Sequence, residues 1–141
     1  MGSDIIMYLE IKKDNKWEFI SKPDLPRAYN TFAILSGNRN YLKPNFKPIA
    51  KKIGIDKEMS KFVKKSLDRW DEIWANVATQ KMIEEYDWDK EVLDTRESDK
   101  IKLFKLSELI PAKYEVLFQK MKELAKEYGN ENVRIIFWYD S

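Results

Sequence analysis

The segment Val133-Arg-Ile-Ile-Phe-Trp-Tyr139 constrains this chain more than any other. In extended backbone, Val133, Ile135, Phe137 and Tyr139 share one face, and Arg134, Ile136 and Trp138 share the other. A strand this apolar is expected to be buried beside another strand, and the obvious partner is at the start of the chain. There Ile5, Met7, Leu9 and Ile11 alternate with Ile6, Tyr8 and Glu10. The turn residues Lys13-Asp-Asn-Lys16 follow, and Trp17-Glu-Phe-Ile20 returns as the second strand of a hairpin.

The remaining segments supply helices to cover such a sheet. Pro23 and Pro26 punctuate the exit from the hairpin, and Arg27 to Ser36 reads as a short helix stopped at Gly37. Asn38 to Gly54 holds Pro44, Pro48 and Gly54 without a clean period and reads as an irregular basic loop. From a cap at Asp56, the residues Met59, Phe62, Val63, Leu67, Trp70, Ile73, Trp74 and Val77 form a helical stripe. This predicts one long core helix with Trp70 and Trp74 inside.

Thr79 is placed to cap a short helix through Met82, Ile83 and Tyr86. A charged loop from Asp89 to Lys100 precedes a strand over Ile101–Leu106. Ser107 caps a turn, and Pro111 opens a helix that ends at Gly129. At 141 residues the chain is expected to be one α+β domain, a small mostly antiparallel sheet packed with three to four helices.

Composition narrows the chemistry by elimination. The chain has no His and no Cys, which removes histidine-assisted nucleophiles and the usual zinc ligand sets. Its four glycines never cluster into a phosphate loop. No cofactor is expected. No apolar run approaches the roughly 18 to 20 residues that cross a bilayer, and no leader pattern opens the chain. The expected location is therefore the cytosol, away from membranes.

The net charge of +2 hides a polarised middle. Asn38 to Lys65 carries nine basic residues against Asp56 and Glu58, and Glu84 to Asp99 carries eight acidic residues against Lys90 and Arg96. Such a chain can bind an anion on one side and pair with itself or a partner through the other.

Three groups of residues carry candidate chemistry. Arg27, Tyr29, Arg39, Asn40 and Tyr41 combine guanidinium forks, an amide and aromatic faces, the parts of a nucleotide or single-strand pocket. Trp88 follows a helix end, where partial exposure would let it join them. Asp87 and Asp89 are two residues apart, a spacing that can hold Mg²⁺ with help from substrate phosphates; Asp4 and Asp140 would join them if the outer strands are neighbours.

Four segments give the chain a family resemblance. They are Met1-Gly-Ser-Asp-Ile5 running into Tyr8-Leu-Glu10, Arg27-Ala-Tyr-Asn-Thr-Phe-Ala-Ile-Leu-Ser-Gly-Asn-Arg-Asn40, Tyr86-Asp-Trp-Asp89, and Val133-Arg-Ile-Ile-Phe-Trp-Tyr-Asp140. In this order they resemble a family of small, mostly uncharacterised bacteriophage and prophage proteins. The resemblance implies that Gly2 and Ser3 are native. It also marks two departures: relatives carry a histidine where Ile6 stands, and a His-Ser-His-Ser-Tyr stretch where this chain has Ile73 to Val77.

The family resemblance brings no established reaction; the polarised charge and the missing catalytic residues point to a non-enzymatic binding protein of phage type, in the host-cell cytosol. Such a protein would act as a counter-defence inhibitor, blocking a host immune protein or sequestering a nucleotide signal. The alternatives are a Mg²⁺-dependent phosphodiesterase or nuclease using Asp87 and Asp89, and a nucleic-acid binder using the Lys-rich stretch. The apolar terminal strand also offers an edge for a homo-oligomer.

Overall fold

A computed structural model describes residues 2–55, 59–96 and 102–140. The first and last strands meet as expected. β1 (Asp4–Lys13) pairs antiparallel with β8 (Val133–Asp140) in unbroken register from Asp4↔Asp140 to Ile11↔Val133. β2 (Lys16–Ser21) folds back on β1 through a turn in which Asp14 (φ 53°) and Asn15 (φ 64°) both take positive φ. Asp and Asn tolerate that region, and two such residues match the twist of a tight hairpin.

Two further strands complete a five-stranded antiparallel sheet in the order β2-β1-β8-β5-β4, where β4 is Lys51–Gly54 and β5 is Trp74–Thr79. A smaller sheet of β3 (Leu42–Lys43), β6 (Glu91–Asp94) and β7 (Phe104–Lys105) lies apart from it. Four helices occur among the described residues: α1 (Tyr29–Ser36), α2 (Lys61–Arg69), α3 (Gln80–Glu84) and α4 (Ala112–Tyr128). The α+β class is as expected.

The helices divide between the two faces of the large sheet. α1, α3 and α4 bring Phe32, Ile34, Ile83, Tyr114, Leu117 and Met121 onto Met7, Leu9, Ala78, Ile135 and Phe137. α2 alone covers the reverse face, setting Val63 and Leu67 against Ile6, Tyr8, Val77, Ile136 and Trp138. β8 is thus buried on both sides, which is why its sequence is apolar in both registers.

Several expectations are corrected. The long helix through Val77 does not form. Ser60 caps α2 by accepting from the Val63 N–H at 3.2 Å, the helix ends at Arg69, and Asp71 turns the chain with a left-handed φ of 54°. The capping role given to Asp56 falls outside the described residues.

Residues 74–79 are instead an inner strand. Apolar spacing from Trp70 to Val77 suits either structure locally, and pairing with β8 and β4 decides it. Consequently Trp70 and Trp74 are not core residues; they are 42% and 57% exposed. The Asn38–Gly54 segment is also less irregular than expected. It holds β3 and β4, and β4 is a short edge strand whose two lysines hide its alternation.

The expected strand over Ile101–Leu106 shrinks to β7, with Ile101 outside the described residues. Leu106 to Leu109 forms a 3-10 turn, and Pro111 stands one position ahead of α4, at its cap.

Candidate functional site

The end of the sheet where β1 starts and β8 finishes gathers the most polar side chains with defined partners. It begins with Ser3, whose polar side chain is almost wholly buried at 1% exposure. The Ser3 N–H donates to the Tyr29 hydroxyl oxygen at 3.3 Å, and Arg39 Nε donates to Ser3 Oγ at 3.0 Å. The Arg39 guanidinium also lies 5.3 Å from the centre of the Tyr29 ring, within cation–π range.

Local backbone explains why these groups meet. α1 ends at Gly37 with φ 79°, and its N–H closes on the Ala33 carbonyl oxygen at 2.8 Å, so the chain reverses immediately after Ser36. Arg39 then takes φ 52°, a left-handed conformation that costs a non-glycine residue about 1–2 kcal/mol. That turn points the Arg39 side chain back at the first residues of the chain.

Arg27 closes the group from the other side. Its Nε donates to Asp4 Oδ1 at 2.6 Å and its Nη2 to Asp4 Oδ2 at 3.3 Å, a bidentate pair with both side chains about half exposed. The Arg27 hydrogen bond holds the Asp4 carboxyl below the usual carboxylate range. Gly2 is enclosed between these groups. A Cβ there would collide with Arg27 Nη1 and would sit 2.7 Å from the Tyr29 hydroxyl oxygen.

Tyr139, opposite Ile5 in the register, shares a 2.6 Å hydroxyl–hydroxyl hydrogen bond with Ser36. Burial pushes its phenol well above the ordinary tyrosine range. Three of the four segments that carry the family resemblance therefore touch at one end of the sheet: the first residues, the Arg27–Asn40 stretch and the end of β8.

The other candidate residues are distributed elsewhere. Asn40 spends its side chain locally, its Oδ1 accepting from the Leu42 N–H at 2.9 Å. Tyr41 faces a second cluster, where Arg96 lies 4.9 Å from its ring centre. In that cluster Arg96 donates to Asp94 and to Asn30 Oδ1, and Asn30 Nδ2 donates to Asp94 Oδ2 at 3.1 Å. Arg96 holds the Asp94 carboxyl far below its ordinary range.

Trp88 does not join the arginines. It packs between α3 and α4 against Tyr86 and Phe118, with its Nε1 donating to the Ile83 carbonyl at 2.8 Å. The metal reading gains no geometry. Asp4 and Asp140 do face each other, but Asp4 is bound by Arg27, and Asp89 lies 3.7 Å from Lys105 Nζ. Among the described residues no three carboxylates converge on one point.

Sequence reasoning missed Ser3 as the partner of Arg39, and the Ser36–Tyr139 hydroxyl pair. The available signal was the Gly-Ser-Asp start, whose small residues are what a close approach by large side chains requires. Of the positions where the resemblance marks histidines in relatives, Ile6 and Ala75 belong to the apolar cluster under α2, whereas Ile73 is 68% exposed.

A second surface stands out on that α2 face. Phe62, 52% exposed, stacks on Phe19, 36% exposed, with ring centres 4.4 Å apart, and both meet the edge of Tyr8. The helix α2 that carries Phe62 also carries Lys61, Lys64, Lys65 and Arg69 against a single acid, Asp68. Comparison with protein-family models, curated proteins and solved structures finds no match.

Proposed function

We propose that this chain is a binding protein of phage type that holds a phosphate-bearing ligand at the sheet end formed by Ser3, Arg27, Tyr29 and Arg39, and so sequesters it. The observation that carries this reading is the convergence of two guanidiniums, a phenol and a serine on the start of β1. Arginine forks match phosphate geometry and keep their charge at any physiological pH. The ligand displaces Asp4 from part of the Arg27 fork, an exchange of one anion for another. The described residues near this site offer Asp4, already paired with Arg27, its register partner Asp140, and tyrosines as titratable groups.

Titration calorimetry with inorganic pyrophosphate and with a panel of nucleotides tests this. The expected result is stoichiometric binding, lost in Arg27→Ala and Arg39→Ala, with the ligand recovered chemically unchanged. Turnover of the ligand, or binding that ignores both substitutions, would overturn it.

A second reading is favoured by the stacked Phe19–Phe62 pair. An exposed aromatic pair set among lysines suits an acidic protein surface with an apolar anchor, as a blocker of a host immune protein would use. This reading predicts association that weakens with salt and with Phe62→Ser, and that is indifferent to Arg39→Ala.

A further inference from the structure

An open sheet has two edges, here β4 and β2, and the chain treats them differently. β4 is four residues long, with Lys51 and Lys52 exposed along it and Gly54 at its end, all of which discourage a further strand. β2 is six residues long, and β1 is its one partner strand among the described residues. Alternate residues of an antiparallel edge strand turn their N–H and C=O groups away from the sheet. Among the described residues, no backbone hydrogen bond reaches β2 from that outer side.

Both layers that flank this edge leave apolar side chains uncovered. On the α2 face, Phe19 of β2 itself stacks on the exposed Phe62. On the opposite face a groove of about 340 Å³ opens at Ser21, the last residue of β2, between Pro23 and Leu25 on one side and Val116 and Leu117 of α4 on the other. Val116 is 70% exposed. A strand laid beside β2 therefore finds apolar contact on each of its two faces.

The charge around the edge is positive. Lys22 Nζ lies 5.8 Å from the centre of the Tyr8 ring, which also meets Phe19 and Phe62. Lys65 and Arg69 follow Phe62 on the same side of α2, and Lys113 and Lys120 line the α4 groove, against Asp24 there and Glu18 on the strand. A second copy paired edge to edge across a two-fold axis would bring these cations together; an acidic chain meets them with opposite charge.

We infer that the outer edge of β2 takes up an extended acidic segment of another protein as an added strand, with apolar residues placed alternately on the Phe19–Phe62 pair and in the Val116 groove. This rests on the second reading above and gives it a binding mode: backbone hydrogen bonds hold the segment, and the aromatic pair anchors it.

Peptides of about ten residues, the length of a long strand, selected from a random library on the full chain test this. The selected peptides are expected to be acidic, to alternate apolar residues and to lack a central proline. Their binding should weaken with salt and fall about tenfold or more in Phe62→Ser. N-methylation of alternate amides in the best binder then reads the mode on the unaltered protein: one alternate set should abolish binding and the other preserve it.

Acidic peptides that depend on Phe62 but respond equally to both methylated sets would overturn the added strand and leave the acidic-partner reading standing. A library that returns no acidic binder, or binders indifferent to salt and to Phe62→Ser, overturns both. Dimerisation of the chain alone, abolished by Phe62→Ser, would put a second copy at this edge and overturn the proposal as well.

Discussion

Arg39 and Ser3, thirty-six positions apart, are joined by a 3.0 Å hydrogen bond that draws the turn after α1 onto the first strand. The bond forms only because Arg39 occupies a left-handed conformation and because Gly2 has no side chain to obstruct Arg27 and Tyr29. The residues just ahead of β1 are thereby part of the fold.

Gly2→Ala is the sharpest probe of that packing. The added methyl has no room beside Arg27 and Tyr29, so the substitution should release the start of β1. Amide exchange at Ser3 and Ile5 should accelerate at least tenfold, while exchange in the centre of β8 stays unchanged. Unaltered protection at Ser3 would mean that the enclosure is not maintained.

Stability should depend most on a different pair. Arg134 Nε donates to Glu10 Oε1 at 2.9 Å inside the protein; Glu10 also accepts from the Ser60 N–H at 3.1 Å, and the guanidinium lies 3.9 Å from the centre of the Trp17 ring. Glu10→Ala strands the Arg134 charge and removes an acceptor at the start of α2. The expected loss is about 3–5 kcal/mol in urea unfolding, against under about 1.5 kcal/mol for Phe62→Ser on the exposed side of the same helix.

Alkaline pH should weaken the fold through its buried tyrosines. Tyr86, Tyr114 and Tyr139 all have raised folded pKa values, chiefly through burial, that of Tyr86 reaching about 12. Their contribution is complete below the unfolded tyrosine value of about 10 and is lost as pH rises through the folded values. Melting temperature should therefore fall between about pH 10 and 12, together with delayed appearance of phenolate absorbance.

Asp4 and Asp94 have depressed values instead. Their contribution is present above about pH 4 and disappears on acidification below it.

The parts of this fold that announce themselves in the sequence are those whose environment is set by nearby residues. The hairpin turn at Asp14-Asn15, the helix stop at Gly37 and the two-sided burial of β8 all follow from local chemistry and alternation. The β5 strand does not, because Trp70, Ile73, Trp74 and Val77 fit a helix as well as a strand, and the choice rests on β8 sixty residues away. The same holds for the site. Arg27, Tyr29 and Arg39 were legible as a set, whereas Ser3 and Tyr139 join them only through the β1–β8 register, and Trp88 leaves them because α4 packs over it.

The most direct test of the phosphate site is a nitrogen–proton spectrum of the arginine Nε–H groups, recorded while pyrophosphate is added. The account predicts that the Arg27 and Arg39 signals shift together and saturate along with the Ser3 amide, while Arg134 stays fixed in its buried pair. Saturable shifts confined to the lysine-rich helix α2, or no shift at Arg27 and Arg39 at all, would contradict it.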